Sequence, residues 1–250
     1  MESDRIERIE QIEINFKRRY RIKKLVNLLI SILIAVSGIL SVLFIWNYDR
    51  EGLLTFRWMT VDGTIFTTAA SVFYVVVSIL EIARYTELTS LSVYFARLAS
   101  AVAEGLIVIV VLLSQLPISP EHLHIFRFDM FQMHILIPVL TIMSFILNDS
   151  PIGKLSFRQK LQGTWFITLY AAVILTLILT GIIPAEQIPY FFLDVAHMPA
   201  LAFIGCFVFI YSVAILLSHF LSNWNRKLSW LWFRGVAGSS TGSLRTRQKT

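Results

Sequence analysis

Apolar residues in this chain come in blocks. Six stretches, Leu25–Trp46, Thr60–Glu81, Val93–Leu113, His134–Leu147, Thr164–Ile183 and Pro199–Leu221, are rich in Leu, Ile, Val, Phe and Ala and poor in charge. Shorter segments carrying Lys, Arg, Asp, Glu, Pro and Gly separate them. Crossing a bilayer takes roughly 20 helical residues. The fourth block is short and must borrow residues at its ends, whereas the fifth, TWFITLYAAVILTLILTGII, is the clearest. A segment in lipid has to satisfy its own backbone hydrogen bonds, which leaves helices for blocks of this length. The pattern therefore predicts an all-α integral membrane bundle of six transmembrane helices. Residues 1–24 form a basic N-terminal segment, residues 25–221 the bundle, and residues 222–250 a basic tail that is disordered near its Gly/Ser-rich end.

Composition agrees. Of the 250 residues 56% are hydrophobic and 15% charged, against about 45–50% and about 25% in soluble domains. Mean hydropathy is +0.69. The first apolar run is too long for a cleavable signal and has no small-residue cleavage site, so it reads as the first span. Cys206, the one cysteine, lies in the last apolar run and reads as a small core residue; no disulfide framework or thiolate metal site follows from it.

Net charge is +6, which in a soluble chain would suggest nucleic acid. Here the charge sits at the ends of spans. FKRRYRIKKLV alone carries six Lys and Arg just ahead of the first block. With six spans both termini share a side, and that side holds nineteen basic residues, Arg97 among them as part of a loop. Only Arg50, Arg57 and Arg127 fall on the other. This asymmetry predicts cytoplasmic termini in the cell membrane, and contact with anionic lipid rather than nucleic acid. Isoleucines at 6, 9, 12 and 14 suggest that the N-terminal segment is amphipathic.

With that orientation, three outer loops lead into the second, fourth and sixth spans, each start bearing a hydroxyl or ionisable group. Thr60 and Asp62 open the second, in RWMTVDGT. His134 opens the fourth, with Asp129 ahead of it, and Asp194 and His197 precede the sixth. Helix N-termini present unpaired N–H groups that favour carboxylates and oxyanions. The plain reading of Thr60 and Asp62 is a cap. The other is half of a reaction centre: a threonine hydroxyl is a nucleophile once a base takes its proton, and histidine is the usual base. Any of Asp62, Asp129 or Asp194 could orient that histidine.

Glu104, in SAVAEGLIVIV, falls near the bilayer midplane, where a carboxylate usually faces the bundle interior and marks a site. Glu81 and Arg84, one turn apart, read as an interfacial ion pair. His219 reads as interfacial, and Trp224, Trp230 and Trp232 as belt or packing residues. His122, His124, His134 and His197 fall on the outer half, but a His-x-His pair is a weak metal signal, and no metal or other cofactor is implied.

Three stretches carry a resemblance. FRWMTVDGT resembles the threonine motif that opens the second span in the family of the androgen-induced protein and the androgen-dependent TFPI-regulating protein, which has bacterial six-span relatives. MFQMHILIPVL resembles that family's His-x-x-x-Pro motif, and IPYFFLDV its Pro-Tyr-x-Phe-Leu-Asp motif. The likeness runs from about Phe56 to Trp232 in order. VDGT replaces the polar continuation usual after the threonine in the bacterial relatives. The animal members hydrolyse fatty acid esters of hydroxy fatty acids. The resemblance thus implies Thr60 as nucleophile, His134 as its partner, and a lipid-like ester as substrate. Asp62, Glu104, Asp129, Asp194 and His197 are candidates for substrate contact or support. The rival reading is a non-enzymatic small transporter or lipid-binding membrane protein, with Glu104 as a proton or ion site. Oligomeric state is left open.

Overall fold

The structure is a computed structural model and describes residues 2–49, 51–84, 91–115, 126–149, 154–195 and 197–247. It is an all-α bundle, without a strand among the described residues, and six of its helical runs are long and apolar enough to span a membrane. Helix α1 (Glu2–Asp49) is followed by a 3-10 turn (Gly52–Arg57) and α2 (Met59–Arg84). Helix α3 (Leu91–Val110) ends in a π-helical turn (Val111–Gln115). The fourth span joins α4 (Phe128–Phe131), a π-helical turn (Gln132–Leu136) and α5 (Ile137–Asn148). The fifth joins α6 (Phe157–Leu161), a 3-10 turn (Gln162–Thr164) and α7 (Trp165–Leu179). Helix α8 (Ala200–Arg247) is the sixth.

The membrane segments differ from the sequence blocks at their ends. The fourth borrows residues on its N-terminal side and runs Phe128–Leu147. The first and last helices do not stop at residues 25 and 221. Helix α1 is one helix of 48 residues, about 70 Å at 1.5 Å per residue, more than twice a hydrocarbon core. The fifth span stops at Gly181, whose φ of +74° ends α7 while the Ile183 N–H returns to the Leu177 carbonyl at 3.1 Å. The chain then folds back as a loop before α8.

Span three is the hub. Two thirds of its most apolar window is buried (67%), against 6% for the last span, which leaves most of its apolar surface exposed. Small residues let neighbours approach span three: a Cβ on Gly163 of the fifth span would stand 3.1 Å from Leu98 of α3 and 2.9 Å from the Cβ of Ser218 on α8. Gly38 does the same between α1 and α2, since a Cβ there would stand 1.9 Å from the Thr68 hydroxyl.

The polar residues point inward. On α2, Thr60, Thr64, Thr67 and Ser71 recur every three or four residues, Ser78 follows two turns on, and all five are buried, while Val72, Val76, Ile79 and Leu80 are exposed. On α1 the buried set is Asn27, Ser31, Ser37 and Ser41, while Leu29, Leu33, Leu40 and Leu43 are exposed. Lipid solvates apolar side chains as well as a core does, so the polar faces are the ones with reason to meet.

Candidate functional site

The polar interior has three levels. At the level where α2 starts, Val61 and Asp62 return their N–H groups to the Trp58 carbonyl at 3.0 and 3.2 Å. Trp58 is therefore the capping position, and Thr60, two residues on, is a buried first-turn residue and not the cap.

The loop before α8 brings Tyr190 to this helix start. Its ring meets Trp58 edge-on, with centroids 5.7 Å apart. Its phenol oxygen lies beside the Met59 and Thr60 amides and the Thr60 hydroxyl. Burial pushes the Tyr190 phenol up to about 12, against the opposing pull of those groups. The Tyr170 hydroxyl donates to the Arg57 carbonyl at 2.7 Å next to it. Two phenols thus occupy the helix end that sequence reasoning assigned to an oxyanion. Asp62, half buried, lies on the Tyr170 and Tyr190 side.

His134 arrives from the fourth span. Pro138 has no N–H, and its ring crowds the carbonyl of residue 134; a wider π turn over Gln132–Leu136 relieves this and carries the histidine. His134 is buried, and its Nδ1 lies 3.0 Å from the Met130 carbonyl oxygen. A carbonyl only accepts, so Nδ1 carries the hydrogen and Nε2 of the neutral ring is the acceptor. Spans two and four touch here: Val61 and Met133, the neighbours of Thr60 and His134, pack in one cluster with Ile45. Among the described residues no hydrogen bond joins Thr60 to His134.

Among the described residues none of the carboxylates considered for orienting His134 bonds it, although Asp129 lies near enough to act on its charge. Asp129, fully buried, takes two hydrogen bonds from Arg127, 2.7 and 2.6 Å. Asp194 accepts from the His197 backbone at 3.2 Å and faces its Nδ1 at 2.9 Å on an exposed loop. The Met130 carbonyl orients the ring instead. His122 and His124 lie outside the described residues. Among the described residues no three His, Cys, Asp or Glu side chains converge as for a metal ion.

At the middle level Glu104 is wholly buried, and neither carboxylate oxygen has a hydrogen-bond partner among the described residues. Thr67 faces it without closing a hydrogen bond.

The third level, at the opposite end of α2, is not one that the sequence pattern predicts. Arg97, counted as a loop residue, is buried inside span three. It pairs with Asp149 at 3.2 Å and donates to Ser71, Asn27 and Ser144. Asn27 also bonds Asp149, so one network ties α1, α2, α3 and the end of α5. Glu81 pairs with Lys24 of α1; the side chain of Arg84, its expected partner, lies outside the described residues. Charge at 97 and 149 was visible in the sequence, but only the register of four helices makes them partners. His219 lies 3.3 Å from the Lys160 ammonium, and Trp224 and Trp230 are exposed. Cys206 is a half-exposed free thiol rather than a core residue.

An apolar cleft begins beside Thr60. Met59 and Tyr190 form its upper wall, and Leu106, Ile167, Ile174 and Phe207 continue it among α3, α7 and α8. Comparison with known proteins brings no match to a family model, a curated protein or a solved structure.

Proposed function

We propose that the chain is a lipid ester hydrolase of the cell membrane, with its termini in the cytoplasm and its reaction centre at the outer face. Thr60 is the nucleophile and His134 the general base. The observation that carries this reading is the state of His134: a buried imidazole whose Nδ1 is committed to Met130 and whose Nε2 is an acceptor, set one residue from the contact between spans two and four. The motifs that resemble the androgen-induced protein family give the same two residues these roles.

Nε2 takes the Thr60 proton as Oγ1 attacks the ester carbonyl. The acyl–oxygen bond to the alcohol breaks, and the imidazolium returns the proton to the departing alkoxide. Water then attacks the threonyl ester, with His134 again as base, and frees the fatty acid. Thr60 and His134 are not bonded at rest; such contacts commonly close only around substrate. The Tyr190 hydroxyl supplies a donor for the oxyanion. The cleft below Met59 holds only about 40 Å³, room for about a water or two. An acyl chain therefore enters from the lipid by parting α7 from α8. Membrane lipids and a lipid-like ester are the partners, and no cofactor enters the scheme.

The test is labelling of membranes with a fluorophosphonate probe. Wild type is expected to label, and Thr60→Ala and His134→Ala, expressed at equal levels, to lose the label. Unlabelled wild type, or variants that label as well as it does, would sink the reading.

A further inference from the structure

We propose that the middle of the bundle holds a sodium-ion site, with Glu104 as its charged ligand and the hydroxyls of Thr64, Thr67 and Thr141 as neutral ones. The inference is independent of the hydrolase reading.

Glu104 stands on the hub helix with no solvent exposure and both oxygens unpartnered among the described residues. Thr67 of α2 faces it. Gly63 of α2 sits against Ile107 of α3, so Thr64 stands near the same level, with its methyl against Gly38 of α1. Ile142 of α5 lies against Gly105, which sets Thr141 level with Glu104. The hydroxyls of Thr64, Thr67 and Thr141 are buried and have no hydrogen-bond partner among the described residues either. Oxygens from three helices therefore share one level of the interior without bonding one another.

A carboxylate in a low-dielectric interior needs a countercharge. Arg97, two turns away on the same helix, is committed to Asp149, Ser71, Asn27 and Ser144. Protonation would neutralise Glu104, and its one new donor would reach only one of the three hydroxyl oxygens. A cation among the oxygens engages all of them at once. One carboxylate balances one positive charge; a divalent ion would keep excess charge in the membrane and usually recruits several carboxylates.

The experiment is thermal unfolding of the purified full chain in detergent, titrated with NaCl against N-methyl-D-glucamine chloride at constant ionic strength. The wild-type midpoint is expected to rise with sodium and saturate, because a ligand bound only by the folded state stabilises it. Glu104→Gln should abolish the rise. Thr67→Ala should move the half-maximal sodium concentration up by about tenfold, the equivalent of one lost ligand contact of about 1.4 kcal/mol. Thr67→Ala carries the test if Glu104→Gln does not fold. A wild type with equal midpoints in the two salts overturns the site, as does a sodium response unchanged in the variants.

Discussion

Thr60 and Tyr190 meet at a helix start where a hydroxyl, a phenol and two backbone amides share a buried space. The phenol has a measurable consequence. Its ordinary value of 10.0 rises to about 12 in the fold, so the unfolded chain gives up this proton before the folded one does. The stability held by the neutral phenol is whole below about pH 10 and is lost as pH climbs towards about 12. The wild-type unfolding midpoint in detergent should therefore fall more steeply over that window than that of Tyr190→Phe. The relative loss should be about 1–3 kcal/mol, since each tenfold difference in proton affinity between the two states is worth about 1.4 kcal/mol. Parallel curves would show that the phenol is not held neutral by burial. At this scale the sequence was half legible. Thr60 and His134 stood out only through their shared place at span starts and the motif resemblance, because a threonine there is also an ordinary helix starter. Tyr190 did not, because it lies 130 residues away, and only the turn at Gly181 and the loop after it bring it to α2.

Among elements, the Arg97 network ties four helices together. Asp149 sits at the C-terminal end of α5, where the helix dipole disfavours a carboxylate, and Arg97 reverses that balance. Both are buried, so removing one partner strands the other. Asp149→Ala is expected to cost about 3–5 kcal/mol, while the paired change Arg97→Met with Asp149→Leu should be far milder, because it leaves no lone charge. Denaturant unfolding in micelles would measure both; equal losses in the single and double variants would mean that the pair is not what holds these helices. Element boundaries were legible in part: the apolar pattern placed the six spans but ran past Gly181 to Ile183. Gly181 ends α7 by its backbone, and Pro138 widens the turn around His134. The extension of α1 and α8 past their apolar blocks was not, because charged residues can form a helix as well as apolar ones and hydropathy marks only where lipid begins.

For the whole molecule, the charge asymmetry predicts both ends in the cytoplasm. A fluorescent protein fused after residue 250 is expected to fold and fluoresce, and alkaline phosphatase fused there to stay inactive; active phosphatase would reverse the orientation and move Thr60 and His134 to the inner face. The sequence by itself determined the six helical spans and the all-α class. A run of about 20 apolar residues has one low-energy state in a bilayer, whatever its neighbours do. Only the tertiary structure decided which helices meet, and hence that span three is the hub, that Arg97 is inside, that Met130 rather than an aspartate holds His134, and that Glu104 faces Thr67. Hydropathy is a sum along one chain. Partners across helices depend on register and rotation, which are set by close packing at Gly38 and Gly163 and by the need of each buried polar group for another.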